Sequence, residues 1–320
     1  VGINALGSVV HGDMNGVQIT GLANLAGGTM RGVQLAGISN ISGNNTVGLS
    51  AAGLVNITGD RTQGVIISGL TSIGGDNTSG LMISGFMNVT GNMASGLHFS
   101  GAANITGQSF GGLMASGLLN VVGEHMNGLQ MAGIANITAS KLNGVQIALC
   151  NYATQARGLQ IGLVNYYKED MKGFQLGLVN ANPDTRVQMM VYGGNATPAN
   201  IGVRFKNQLF YTILGIGSMY QGLNDKFSAS ASYRAGLSFT LYKGLSISGD
   251  LGYQHIEAFD NKDEVIPKRL YALQARANLE YQFTRKFGIF ATGGYGLTRL
   301  YNKSSNYDKG AIIEAGIVLF

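Results

Sequence analysis

Residues 16–31, GVQITGLANLAGGTMR, are followed at once by residues 32–47, GVQLAGISNISGNNTV. Each stretch has Gly first, Gly sixth and Asn ninth. The restart is not local. Gly recurs at 16, 32, 48, 64, 80, 96, 112, 128 and 144, and a second Gly series runs 21, 37, 53, 69, 85, 101, 117 and 133. The ninth position is Asn24, Asn40, Asn56, Asn88, Asn104, Asn120 and Asn136, with Ser72 as the exception. After Gly144 the unit shortens but persists as GVQIALCN, GLQIGLVN and GFQLGLVN. Fixed self-similarity of this kind marks an array of stacked units, about twelve of them to residue 183.

Each unit reads as strand, bend, strand, loop. Its second and fourth positions are apolar (Val17 and Ile19, Val33 and Leu35, Leu81 and Ile83), which is the period of a strand. Gly21 and its equivalents break that alternation as a bend would. Apolar residues return at Leu22 and Leu25, or Ile38 and Ile41, before a polar, variable loop. Sixteen residues suit one coil of a β-solenoid or a short β-hairpin. A membrane hairpin needs two strands of about 9–11 residues plus turns, so the solenoid explains more. Coils stacked about 4.8 Å apart are expected to bury their apolar face and to align the Asn column as a ladder of amides. Twelve of them make a rod of about 55 Å. The two Gly columns are expected at tight corners with positive φ. An array of hairpins or an irregular glycine-rich sheet is the alternative.

Bulk composition narrows the class. Of the 320 residues only 12% are charged, while 45% are hydrophobic and 50 are Gly. That is neither an ordinary soluble surface nor a disordered chain. No run of 18 apolar residues exists, so no transmembrane helix is expected, although transmembrane strands give a weaker signal. The net charge of +5 forms no basic block, which argues against nucleic acid. Cys150, the single cysteine, reads as a small buried apolar residue. Val1 already fits the second position of the repeat, so the chain is expected to begin inside a longer precursor.

Several motifs invite a chemical reading. The NIT and NVT triplets match a glycosylation sequon but are the repeat's own columns. Asp60 and Asp76 lie one coil apart, yet Asp13, Asn44, Gln108 and Ser140 do not continue a calcium-binding column. His11, His98 and His125 hold no ligand spacing. The remaining sheet positions carry Gln18, Gln34, Ser50, Met82, Gln130, Thr20, Ser68 and Ser84. That flat, uncharged face is either a partner-contact surface or a plain solvated sheet. No metal, cofactor or catalytic residue is expected.

Past Pro183 the rhythm changes. FSASASYRAGLSFTLY, residues 227–242, alternates apolar and polar side chains over its whole length. GLSISGDLGYQHI (244–256) and LYALQARANLEYQF (270–283) do the same. Strands this long, apolar on one side and polar on the other, fit a transmembrane barrel. Eight are expected, near 186–194, 199–206, 208–220, 227–242, 244–257, 269–283, 287–301 and 309–320. Short turns (KNQ, YKG, TRK) alternate with long charged loops (QGLNDK, EAFDNKDEVIPKR, NKSSNYDK). The expected fold is therefore all-β, with glycine-rich solenoid repeats over 1–183 and an antiparallel eight-stranded barrel over 184–320.

The second half resembles the small eight-stranded outer-membrane barrels of the OmpA/OmpX type. Its last residues, AIIEAGIVLF, are similar to the terminal strand whose final Phe, here Phe320, the barrel-assembly machinery recognises. The whole chain resembles glycine-rich surface-repeat outer-membrane proteins of Bacteroides-like bacteria. The resemblance implies a Gram-negative outer membrane and brings no catalytic residues. Eight strands leave an interior just wide enough for side chains. Arg204, Arg234 and Arg276 are expected there against Asp250, Glu280 and Glu314, as a salt-bridged plug or a narrow gated pore. The expected role is a non-enzymatic envelope protein whose barrel anchors a rigid scaffold. Its expected partners are outer-membrane lipid and another envelope protein, with glycan or peptidoglycan as a further candidate. A surface-displayed, autotransporter-like adhesin is the alternative. Even strand number and short turns on one side place the solenoid in the periplasm, with the loops around Asn224, Asp260 and Asn306 outside.

Overall fold

The computed structural model describes residues 1–207, 209–223, 227–259, 269–301 and 306–319. The chain divides into two compact units, Val1–Gly177 and Leu178–Phe320. Among the described residues every regular element is a β-strand except one 3₁₀ turn, Gln221–Leu223.

The first unit is a parallel β-solenoid. A coil holds one long strand, a Gly-led bend and one four-residue strand, as in Thr62–Ser68 with Thr71–Gly74 and Thr78–Ser84 with Met87–Thr90. Pairing is parallel and in register. Gly80 lies opposite Gly64 and Gly96, and Asn88 lies opposite Ser72 and Asn104. Parallel pairing rules out the hairpin array. From Ala135 the loops are absorbed into longer strands (Ala135–Ile147, Cys150–Ile161, Val164–Leu176). The register slips between Thr138 and Lys141 and again between Ala153 and Gln155, where the unit shortens.

The sense of the coil is opposite to the expected one. Gln18, Gln34, Ser50, Met82 and Gln130, with Thr20, Ser68 and Ser84, are buried. They are neither a partner surface nor a solvated face. The apolar columns expected inside lie outward, with Ile19, Leu22, Leu25, Ile38, Ile67 and Ile83 all exposed. The reason is parity: the Asn column shares the inward side with Gln18 and Thr20, and a stack of amides satisfies itself from coil to coil. Inward apolar volume comes instead from the position before the loop's last residue, through Met14, Met30, Phe110, Met126 and Leu142. Cys150 is exposed, not buried, because it falls on the outward side at the start of its strand, with Asn151 inward.

The glycine expectation is also revised. Only the first column has positive φ, and it sits inside the long strand, not at a corner. Gly80 has φ 118°, and a Cβ there would lie 2.1 Å from the Gly64 carbonyl oxygen. The second column, in the bend, needs Gly because the preceding coil approaches so closely.

The second unit contains a closed antiparallel barrel of eight strands. These are β1 (Arg186–Gly194), β2 (Ala199–Asn207), β3 (Phe210–Ser218), β4 (Ser228–Tyr242), β5 (Leu245–Ala258), β6 (Arg269–Thr284), β7 (Phe287–Leu300) and β8 (Asn306–Leu319). β1 closes the ring on β8, with Met190 opposite Val318. The chain enters β1 and leaves β8 at the end that carries the short connections β2–β3, β4–β5 and β6–β7. Phe320 and the loop residues Asn224 and Asp260 lie outside the described residues.

Replacing Gly80 by Ala should therefore disturb two coils at once, through the clash and the positive φ. A local loss of about 1–3 kcal/mol is expected, read by hydrogen exchange of the 64–96 amides in the full chain. Gly111→Ala, with no described atom within 4 Å of the added carbon, should stay within about 0.5 kcal/mol of the parent.

Candidate functional site

The inside of the solenoid is a set of polar ladders. Asn24 Nδ2 donates to Asn40 Oδ1 at 2.8 Å, and Asn40 donates to Asn56 at 3.0 Å. The run resumes from Asn88 through Asn104, Asn120 and Asn136 at 2.8, 2.9 and 3.0 Å. It continues to Asn151 and Asn165 at 3.1 and 2.9 Å. Each amide also donates to a backbone carbonyl, as Asn104 does to Ala115 at 2.8 Å, which fixes its orientation. Where Ser72 interrupts the column, hydroxyls bridge it. Asn56 donates to Ser68 Oγ at 2.8 Å, Ser68 lies 2.7 Å from Ser72, and Ser84 donates to Asn88 at 2.6 Å. A parallel Gln ladder joins Gln130, Gln146, Gln160 and Gln175 in steps of 2.8 Å. Sequence reading did not single it out as a ladder, although the third position of the late units is always Gln.

The barrel lumen brings the six expected charges together, all of them buried. Nearest the short-turn end, Arg204 Nη2 lies 3.0 Å from Glu280 Oε1 and its Nε donates to Gln188 at 2.9 Å. In the next layer Arg234 grips Asp250 with two bonds of 2.8 Å and reaches Glu314 at 3.5 Å. Arg276 holds the same Glu314 at 3.1 Å. Tyr211 Oη and Asn278 Nδ2 donate to Asp250 at 2.7 and 2.8 Å. Above these layers Gln274 donates to Gln254 at 2.9 Å, and Tyr220, Leu223, Ile256 and Leu270 form an apolar cluster toward the long-loop end. These six charges pair with one another, half-buried Lys206 adds a further cation at the short-turn end, its Nζ 2.9 Å from Ser238 Oγ, and the apolar cluster caps the other end. The arrangement supports the plug reading over the pore.

The outer wall of the barrel is apolar between two aromatic belts. Leu251, Leu273, Leu279, Ile289, Ile216 and Ile313 are exposed on it. Toward the short turns lie Tyr281, Phe283 and Phe287, in ring contact at 4.9 and 5.9 Å. At the other end Tyr253 stacks on Tyr271 at 6.2 Å, and Tyr301 lies tilted against Tyr271 at 5.1 Å. His255 joins that cluster, its Nδ1 2.6 Å from Tyr301 Oη and its Nε2 3.3 Å from Glu257. Nδ1 thus ties β5 to the residue that follows β7, while Nε2 is held by Glu257 two residues along β5 itself. Beside His255 an apolar hollow of about 1030 Å³ runs over Val191, Ala199, Ile201, Ile216, Ala231 and Ile317. Among the described residues no group of three His, Cys, Asp or Glu side chains is placed to hold a metal ion. One signal for the belts is visible in the sequence, the Tyr and Phe residues that open and close the alternating runs.

Arg234→Met removes the hub of the lumen network and leaves Asp250 uncompensated, so a loss of about 3–5 kcal/mol is expected, measured by urea titration of the detergent-solubilised chain. His98 replaces the ladder Gln at the third position of its coil, packs edge-to-face with Phe110 at 4.9 Å between ring centroids, and has no partner for Nε2 among the described residues. Burial lowers its pKa from 6.5 to about 4. The unfolded chain therefore takes up the proton first as pH falls. The contribution is complete above about pH 6.5 and declines as pH falls toward 4, by roughly 3 kcal/mol at about 1.36 kcal/mol per unit. His98→Met, with Met on both neighbouring coils, should abolish that decline in the protection of the 80–116 amides.

Neither a protein family nor a curated protein matches the sequence.

Proposed function

We propose that the chain is a non-enzymatic protein of a Gram-negative outer membrane, anchored by its barrel and using its solenoid as a rigid scaffold in the envelope. The spacing of the aromatic belts carries the reading. Ten residue steps separate Tyr271 from Tyr281 along β6. At about 3.3 Å per residue that is roughly 33 Å of strand, or about 25 Å of height at a tilt near 40°, the height of the apolar band on outer-membrane barrels. The polar lumen and apolar wall agree with it, as does the resemblance to eight-stranded outer-membrane barrels and glycine-rich surface-repeat proteins. Entry and exit of the chain at the short-turn end support a periplasmic position for residues 1–177. The partner class that fits is an envelope component, protein or glycan. The adhesin alternative needs a route for export, and a lumen closed by the Arg234 network supplies none.

Leu251→Arg tests the anchor. It should cost about 2–4 kcal/mol of folding stability in phospholipid vesicles if Leu251 faces hydrocarbon near the midplane, and almost nothing if it faces water. An epitope inserted at Asp60 tests the side. Staining only after the outer membrane is permeabilised is expected; staining of intact cells would place the solenoid outside.

A further inference from the structure

The solenoid distributes its side chains in three zones. The inside is mostly amide and hydroxyl, closed by the ladders. The outer faces of both strand columns, and the bend that joins them, are apolar. Charge is confined to the opposite edge: every Asp, Glu, Lys and Arg of residues 1–177 falls in or beside the loop. Asp13, Arg31, Asp60, Asp76, Glu124 and Lys141 are typical. None lies on the outer faces from the second to the tenth position. The bend position forms a ridge, with Leu54 43%, Leu70 48%, Phe86 55%, Leu118 48% and Ile134 52% exposed and the small Ala102 as the one dip between them. An apolar surface of that extent marks an interaction site.

Its shape and depth select the occupant. The surface is a convex wedge: two outer sheet faces meeting at the Leu ridge, repeated coil after coil. A folded partner covering it would have to grip both faces and the ridge, whereas fluid hydrocarbon wraps it without a specific shape. From the second to the seventh position is five residue steps, about 16 Å at about 3.3 Å each. One leaflet of hydrocarbon is about 15 Å deep, half of the usual core. Backbone groups on the wedge are paired to the coils above and below, as hydrocarbon requires, for example Leu70 N to Leu54 O at 2.9 Å and Phe86 N to Leu70 O at 2.9 Å. We infer that the solenoid inserts edge-on into one leaflet of the bilayer, its Leu ridge among acyl chains and its charged loop edge in water. This deepens the membrane reading proposed above and rests on it.

Nitroxide labels on single cysteines test it, in the full chain with Cys150→Ser, reconstituted in phosphatidylethanolamine–phosphatidylglycerol vesicles. Labels go at Leu70 on the ridge, at Asn77 on the loop edge, and at Leu251 on the barrel wall. Relaxation by oxygen should exceed relaxation by a water-soluble nickel chelate at Leu70 and Leu251, by several-fold over their ratio at Asn77. If Leu251 shows the lipid signature while Leu70 is open to the chelate, the solenoid is not in lipid and the anchor stands. If Leu70 is instead immobilised and shielded from both reagents, a protein or a second copy covers the ridge and the inference is overturned. If Leu251 also lacks the lipid signature, the anchor reading itself fails.

Discussion

A polar side chain sealed away from water must find its partner inside the protein, and that requirement organises both halves of this molecule. In the solenoid the solution is translational. An amide that donates to its copy one coil later leaves that copy free to do the same, so one satisfied bond becomes a satisfied column. Asn104 accepts from Asn88, donates to Asn120 and holds the Ala115 carbonyl. In the barrel the same demand is met by charge. Arg234, Asp250, Glu314 and Arg276 form one connected group with no excess of either sign. Such an interior releases the outer surfaces from being polar.

Register is what the ladders depend on, and glycine sets it. The positive-φ column places Gly80 between Gly64 and Gly96, where the preceding carbonyl occupies the space of a side chain. A coil that slipped by one residue would bring a Cβ into that oxygen and turn Gln and Asn outward together. The late coils show how much irregularity is tolerated. They lose one residue at the loop, where Thr138 and Lys141 face Ala153 and Gln155, and one at the bend before Asn151, and keep Gly144 opposite Gly128 and Gly158.

The periods were legible and the sense of one of them was not. The spacing of Gly and Asn gave the coil, and the long alternations gave the barrel strands to within a few residues at each end. Lumen charges could be named because Arg234 and Asp250 share parity with Ser and Gln. In the solenoid, alternation separates Val17 and Ile19 from Gln18 and Thr20 but does not say which pair faces inward. Assigning the apolar pair to the core follows the rule for water-soluble sheets, and this chain breaks it. The deciding signals were Gln at the third position in so many coils, and the confinement of charge to the loop edge. The aromatic belts were missed for a different reason. Tyr253 and Tyr301 are 48 residues apart and become neighbours only when the barrel closes.

Ser72 gives the array an internal boundary. An Asn amide is planar and pinned by its carbonyl, so a run of them points one way and cannot reverse at one member alone. A hydroxyl turns about a single bond. At Ser68, Ser72 and Ser84 the chain of donors passes through three such rotors. The dipoles of Asn24, Asn40 and Asn56 are thereby uncoupled from those of Asn88 onward. What looks like one continuous wire of amides is two shorter ones, joined by a swivel.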